Sequence, residues 1–167
     1  MVERIAEHPI NKIDALLPWN VATQLASLRF AALRFVMATP SFIYRQASLQ
    51  DLWRETHSDR PIPAELGQYT NWQCVCEAQV IGHCTGNYKT GEIIGLSVDS
   101  MYRRRGIGKK LLSLVVEAIR AAGTAKIWLS APSDPALPAF GFYRVVGWAP
   151  TGERTGDGEE ILEPLHN

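Results

Sequence analysis

The 167 residues predict a mixed α/β (α+β) domain, a central sheet flanked by interposed helices, behind an N-terminal helical extension. Three observations carry that expectation. Residues 71–98 form a succession of β-rich runs broken by glycine and polar residues. Leu111, Leu112, Val115, Val116 and Ile119 repeat at i, i+3, i+4 spacing, the period of an amphipathic helix, and Gly123 follows as its stop. Residues 92–108, Glu-Ile-Ile-Gly-Leu-Ser-Val-Asp-Ser-Met-Tyr-Arg-Arg-Arg-Gly-Ile-Gly, join the two: an apolar strand runs into a basic, glycine-spaced turn that opens the helix. A β-rich centre with helices between strands is a mixed sheet.

In order along the chain, residues 1–39 form the extension, in which Pro18-Trp19-Asn20 is a break and Asn20 an N-cap for a helix over Val21–Ala38. Leu25, Leu28, Ala32, Phe35 and Val36 make an apolar stripe that Phe30, Leu33 and Met37 widen, so this helix packs against its own domain or a second copy. The domain spans residues 40–167. It begins with a strand at 42–47 and a helix from Ser48, with Asp51 at the third position of the cap. Pro61, Pro63 and Gly67 mark a loop, and strands follow near 71–78, 80–88 and 91–98 with Gly82, Gly86 and Gly91 as weak points or turns. The helix covers 106–122, a buried strand Ala125–Ala131, and Pro135 starts the next helix. Trp148 opens a strand, and Glu159–Leu162 is the last.

Composition narrows the function. Lysine plus arginine and aspartate plus glutamate number 17 each, so the formal net charge is zero and a general nucleic-acid surface is disfavoured. Residues 1–16 alternate charged and apolar positions without the core of a signal peptide, and no uninterrupted apolar run approaches a membrane span, so the expected location is cytoplasmic. Cys74, Cys76 and Cys84 lie in expected strands; their spacing is not C-x-x-C, and the reading is small buried hydrophobes, with no metal, rather than a zinc site that includes His83.

The turn at 103–109 has a chemistry of its own. A helix N-terminus directs unpaired N–H groups and the positive end of its dipole outward. Such a turn suits a phosphate or pyrophosphate. Arg103, Arg104 and Arg105 precede it, Lys109 and Lys110 follow, and Gly106 and Gly108 let an anion approach the backbone. A P-loop is excluded because Lys109 is followed by Lys110, and a dinucleotide fingerprint because its third glycine would be Leu111. What remains is Arg103-x-x-Gly106-x-Gly108 behind a strand, a site for a diphosphate-bearing cofactor; a basic patch from Arg103 to Lys110 that binds nucleic acid is the bland alternative.

That segment resembles motif A of the GNAT superfamily, the acetyl-CoA-dependent N-acyltransferases, whose pattern is [R/Q]-x-x-G-x-[G/A] after a strand. Ala139-Phe140-Gly141-Phe142-Tyr143-Arg144-Val145-Val146-Gly147-Trp148 resembles the family's A-x-x-F-Y-x-x-x-G-[F/W] segment, and Phe42 to Leu52 its first strand and helix. The three matches, in the family's order, span about residues 40–163. Residues 6–19 are also faintly similar to the tail of certain insertion-sequence transposases.

The resemblance implies a sheet splayed between its fourth and fifth strands, with acetyl-CoA in the split. It implies that the backbone of Leu96, Ser97 and Val98 pairs with the pantetheine arm, and that Arg103, Arg104, Arg105, Gly106, Ile107, Gly108 and Lys109 hold the pyrophosphate. The sequence departs from the family where an asparagine is common and Ala136 stands; Ser133 is the substitute contact. Acetyl transfer to an amine needs a base for the amine proton and profits from a proton on the leaving thiolate. Glu92, eleven residues before Arg103 like the glutamate of the histone-acetyltransferase branch, is the candidate base, with His83 or water as the fallback. Tyr143, at the family's tyrosine position, is the candidate acid. No cysteine adjoins these motifs, so the expected route is direct attack by a small-molecule, peptide or protein amine in a ternary complex. The short, Pro-rich link at 57–70 leaves the acceptor side open. The second reading is a non-catalytic acyl-CoA-binding module, and the N-terminal helix leaves room for a homodimer.

Overall fold

The computed structural model describes residues 40–56, 59 and 61–165. The extension over residues 1–39, its helix, the transposase-like stretch and any dimer contact through it lie outside the described residues.

Seven strands form one sheet: β1 (Ile43–Gln46), β2 (Tyr69–Cys76), β3 (Gln79–Asn87), β4 (Glu92–Val98), β5 (Trp128–Ala131), β6 (Trp148–Arg154) and β7 (Glu160–Pro164). Their order is β1-β2-β3-β4-β5-β7-β6. Strands β1 to β4 are an antiparallel meander, β4 and β5 are parallel, and β5-β7-β6 is antiparallel again. Three helices interrupt the strands: α1 (Leu49–Thr56), α2 (Ile107–Ala121) and α3 (Pro138–Val145). The mixed, splayed α/β architecture is as expected.

The meander turns from β2 to β3 through Glu77 and Ala78, both at positive φ (49° and 67°), although neither is the glycine or asparagine such a hairpin favours. Helix α1 starts as anticipated: the Asp51 N–H donates to Ser48 Oγ at 3.3 Å. Its Leu49 and Trp53 bury with Leu66 in a small second cluster.

Helix α2 is the connection that makes β4 and β5 parallel, and its apolar stripe fills the main core. Ile107, Leu111, Leu112, Val115 and Ile119 are all buried, each worth about 1.5–3 kcal/mol of apolar transfer. The helix can lie this close because the strand beneath it carries glycines. A methyl placed on Gly86 would stand 2.6 Å from Val115 Cγ1 and 2.7 Å from Ile119 Cδ1, and one on Gly82 would stand 3.3 Å from Leu111 Cδ1. Gly82 and Gly86 are therefore seats inside β3 rather than turns, a correction to the reading from local pattern. Other boundaries shift as well. The expected strand at 125–131 shortens to Trp128–Ala131, and residues 64–68 of the expected loop coil into a 3-10 turn. The helix assigned to Pro135 begins at Pro138, where the ring fits the first helical position.

Candidate active site

The site is built from a failure of pairing. Strands β4 and β5 are joined only at Glu92↔Trp128 and Ile93↔Leu129. Beyond that point the β5-facing edge of β4 carries no ladder, and the sheet opens into a V. On its other side β4 stays paired with β3, but irregularly: Thr85 faces Gly95 and Gly86 faces Ile93, so Ile94 is the extra residue of a bulge. A bulge re-aims a strand, and this one sits where the split begins.

At the far end of β4 the chain passes through a one-turn 3-10 segment, Ser100–Tyr102, capped by Asp99, whose carboxylate accepts from the Met101 N–H at 2.9 Å. Arg103 then folds back, its Nε donating to the Val98 carbonyl at 3.1 Å, which holds the end of β4 against the turn. Arg104 sits at φ 63° and Gly106 at φ 78°, so the backbone twice enters the left-handed region before α2 begins. No side chain caps Gly106, and the Lys110 amide, bonded to the Gly106 carbonyl at 3.0 Å, is the first of the ladder. The preceding amides of α2 point out of the helix end.

A methyl on Gly106 would meet nothing among the described residues within 4 Å, so they leave the space over the turn open. Arg105 lies over the Tyr102 ring, 5.6 Å from its centroid, and Lys109 and Lys110 are exposed. This turn therefore fits the diphosphate of acetyl-CoA: outward amides, glycine clearance and positive charge together.

The sheet alternation sorts the remaining residues onto two sides. Gly82, Cys84 and Gly86 face α2, and their partners Val98, Leu96 and Ile93 point the same way. Glu92, His83, Thr85, Gly95 and Ser97 therefore occupy the opposite face. Tyr143 lies on the α2 side. Helix α3 packs against α2 through Phe142, whose Cζ would be 3.4 Å from a methyl on Gly108. Tyr143 meets Phe142 and Trp148 edge-on, with ring centroids 5.2 and 6.5 Å away. Arg144 fixes the helix, its guanidinium 3.7 Å above the Phe140 ring and paired with Glu160 of β7. Burial, with smaller contributions from Cys84 and Glu159, pushes the Tyr143 phenol well above its ordinary value, so it holds its proton.

The expected residues thus fall into three places. Residues 103–109 are gathered at the mouth of the V, and Leu96 to Val98 line its open edge. Glu92 stands at its closed base, six residue steps or roughly 20 Å along the strand from Val98. Ser133 is on the other lip, in the loop behind β5. The carboxylate of its neighbour Asp134 accepts from the Ala136 amide at 2.8 Å, and the Asp134 backbone carbonyl from the Leu137 amide at 3.1 Å.

A groove lined by Lys109, Leu112, Val116, Val146, Trp148 and Pro164 runs along α2, away from β4. Cys74, Cys76 and Cys84 are free thiols in the core, and no metal-binding group of side chains occurs among the described residues. No helix there is long and apolar enough to cross a membrane.

One group went unnoticed in the sequence. Asn71 and Gln73 of β2 are 1% and 2% exposed, and both lie on the Glu92 side of the sheet with Thr85. Thr85 Oγ1 donates to Asn71 Oδ1 at 3.0 Å, and Arg45 donates to Gln73 Oε1 through Nε and Nη2 at 3.3 and 3.2 Å. Two polar residues at alternate positions of a buried strand were the available signal.

Solved structures of similar fold include three described as acetyltransferases. The PaiA N-acetyltransferase of Thermoplasma acidophilum, in complex with coenzyme A, is 17% identical with a TM-score of 0.57, over 74% of this chain and 98% of that one. The IAA acetyltransferase of Bacillus cereus ATCC 14579 is 18% identical with a TM-score of 0.53, over 73% and 97%. The ribosomal-protein-S18-alanine N-acetyltransferase of Escherichia coli is 18% identical with a TM-score of 0.51, over 74% and 94%. At these identities the likeness is one of fold. Among curated proteins none matches the sequence. The acetyltransferase (GNAT) family model matches residues 37–148, and the chain belongs to that family.

Proposed function

We propose that this protein is a cytoplasmic N-acetyltransferase that moves the acetyl group of acetyl-CoA onto an amine by direct attack. The observation that carries the reading is the division of the split β4 strand. An open anion turn lies at one end and a carboxylate at the other, with a protonated phenol on the flank between them.

Bound acetyl-CoA supplies an activated acyl group and a thiol that leaves. The residues of this chain do the rest. The amides and cations of residues 103–109 hold the pyrophosphate, and the unpaired edge from Leu96 to Val98 takes the pantetheine arm as an added strand would be taken. An arm held along the β4 edge would bring the thioester toward Glu92. Glu92 accepts a proton from the ammonium on the face away from α2, directly or through water, with His83 as its fallback. Tyr143 donates to the departing sulfur from the α2 face. Acid and base therefore work from opposite sides of the sheet, and neither has to exchange its proton with the other. Positioning both substrates in one cleft supplies much of the remaining acceleration.

Calorimetric titration with acetyl-CoA tests the donor site, beside a variant carrying Gly106→Glu and Gly108→Glu. Micromolar binding that disappears in the variant is expected; no binding by the unmodified protein would overturn the reading. CoA release with amines then separates the roles. Glu92→Gln and Tyr143→Phe should each lower kcat by about 10²–10⁴-fold with the KM for acetyl-CoA unchanged.

A further inference from the structure

Helix α3 carries Tyr143, and three consecutive side chains hold it in place. None of its eight residues is fully buried, so apolar packing alone anchors it weakly. Phe142 ties it to α2, with Cζ 3.4 Å from where a methyl on Gly108 would stand. Tyr143 rests edge-on against Trp148 of β6. Arg144 ties it to β7: Nη2 pairs with Glu160, Nη1 donates to the Phe140 carbonyl at 2.9 Å, and the guanidinium stacks on the Phe140 ring.

The strand register locates the two outer ties. Helix α2 seats on Gly82 and Gly86 of β3, in the meander half of the sheet. Glu160 faces Ala131, the end of β5, two residues beyond the last β4–β5 pair at Leu129. The Phe142 tie therefore reaches one side of the V and the Arg144 tie the other, with Tyr143 between them. The Arg144 and Glu160 side chains are 28% and 18% exposed, so their attraction is screened less than that of a surface pair. A second cation, Arg154 Nη2, stands 3.8 Å from Glu160 Oε1 and keeps this carboxylate among positive charges.

We infer that Glu160 is a positioning residue: through Arg144 it fixes the Tyr143 phenol across the split, where a departing thiolate would meet it. This inference rests on the acetyl-transfer reading, with Tyr143 as the acid. With the ion pair broken, Phe142 still holds one side of α3, and the helix is free to turn about that contact. A displacement of about 1 Å at the reacting groups costs on the order of 10²-fold in rate. Glutamine in place of Glu160 keeps the shape and removes the charge. Arg144 is suited to its place because its fork offers separate nitrogens to Phe140 and Glu160, which the single nitrogen of a lysine does not.

CoA release tests this with whichever of L-lysinamide, phenethylamine and spermidine the unmodified protein acetylates fastest. Glu160→Gln should lower kcat by about 10- to 10²-fold with the KM for acetyl-CoA unchanged. In a Tyr143→Phe background the same substitution should cost nothing further, because the acid it positions is already absent. A merely structural role would lower kcat equally in both backgrounds. Glu163→Gln, which breaks the exposed Lys126–Glu163 pair (3.1 Å) on the same strand, should leave kcat unchanged. Equal losses in the two backgrounds, or an unaltered kcat in Glu160→Gln, overturn the inference.

A readout that needs no acceptor is the Tyr143 resonance in protein carrying isotope-labelled tyrosine ζ-carbons. It is one of five tyrosine signals and is assigned by its loss in Tyr143→Phe. Coenzyme A should shift it in the unmodified protein. Glu160→Gln should reduce that shift or broaden the signal, while Glu163→Gln should do neither. A Tyr143 signal that answers CoA but is indifferent to Glu160→Gln defeats this inference alone. Failure to bind acetyl-CoA, or a bound CoA that leaves the signal unmoved, defeats the reading beneath it.

Discussion

The two faces of the β1–β4 meander are built on different principles. Under α2 the sheet offers glycines, Cys84 and Ile93, and the helix presses Leu111, Val115 and Ile119 into the space. Fit there is a matter of shape, as in any close-packed core. On the opposite face Asn71, Gln73 and Thr85 are just as deeply placed, yet they are arranged by hydrogen bonds, from Thr85 to Asn71 and from Arg45 to Gln73. One face is held by close packing; the other keeps a polar row in which Asn71 Nδ2 meets no acceptor among the described residues. A single strand, β3, serves both because its side chains alternate.

The sharpest way to break the contrast is Gly86→Ala. Its methyl collides with Val115 and Ile119, and unfolding in urea should show a loss of about 2–3 kcal/mol. A silent substitution would mean that the helix is not seated on the glycine.

The α2 face should also respond to alkali. Burial raises the Cys84 thiol far above its ordinary value of 9.0, and the Tyr143 phenol above 10.0. Below pH 9 both are neutral whether the chain is folded or not, and their contribution is fully present. Above it the unfolded thiol ionises while the folded one does not, so stability falls by about 1.4 kcal/mol per pH unit, and Tyr143 adds to the slope above pH 10. Urea unfolding at several pH values measures the slope. Cys84→Ala should lessen it between pH 9 and 10, the remainder coming from Cys74, whose thiol burial also raises.

The smallest expected change in stability is on the other face. Gly95→Ala points its methyl where no described residue lies within 4 Å, so the unfolding free energy should move by less than about 0.5 kcal/mol. Its effect should appear instead as a raised KM for the amine, since under the proposed mechanism the methyl narrows the Glu92 face of β4. A large loss of stability would place Gly95 in the packed core.

Much of the proposed donor side was legible because its signals are local. The Arg103-x-x-Gly106-x-Gly108 spacing, the helix stripe behind it and the Phe142-Tyr143 pair lie within short stretches of chain. Gly82 and Gly86 were misread because a glycine in a strand reads as a break until the helix it accommodates is known. Pro135 was misread as a helix start because Pro138 offers the same signal three residues on.

Asn71 shows the harder limit. Its Thr85 partner lies 14 residues away on the next strand, and its role depends on which face of the sheet each of them takes. The bulge at Ile94 changes the register of β4 by one residue and with it the side to which Glu92 points.

The sequence alone therefore determined the class of fold and the basic, glycine-spaced turn at 103–109, since periodicity and spacing are properties of neighbouring residues; Glu92 and Tyr143 were picked out by the resemblance, and their acid and base roles are proposals. Only the tertiary structure decided that Glu92 and Tyr143 stand on opposite faces of one sheet and that a polar row accompanies the glutamate. Strand register is set by long-range pairing and core packing, and a shift of one residue would turn each of these side chains to the other face.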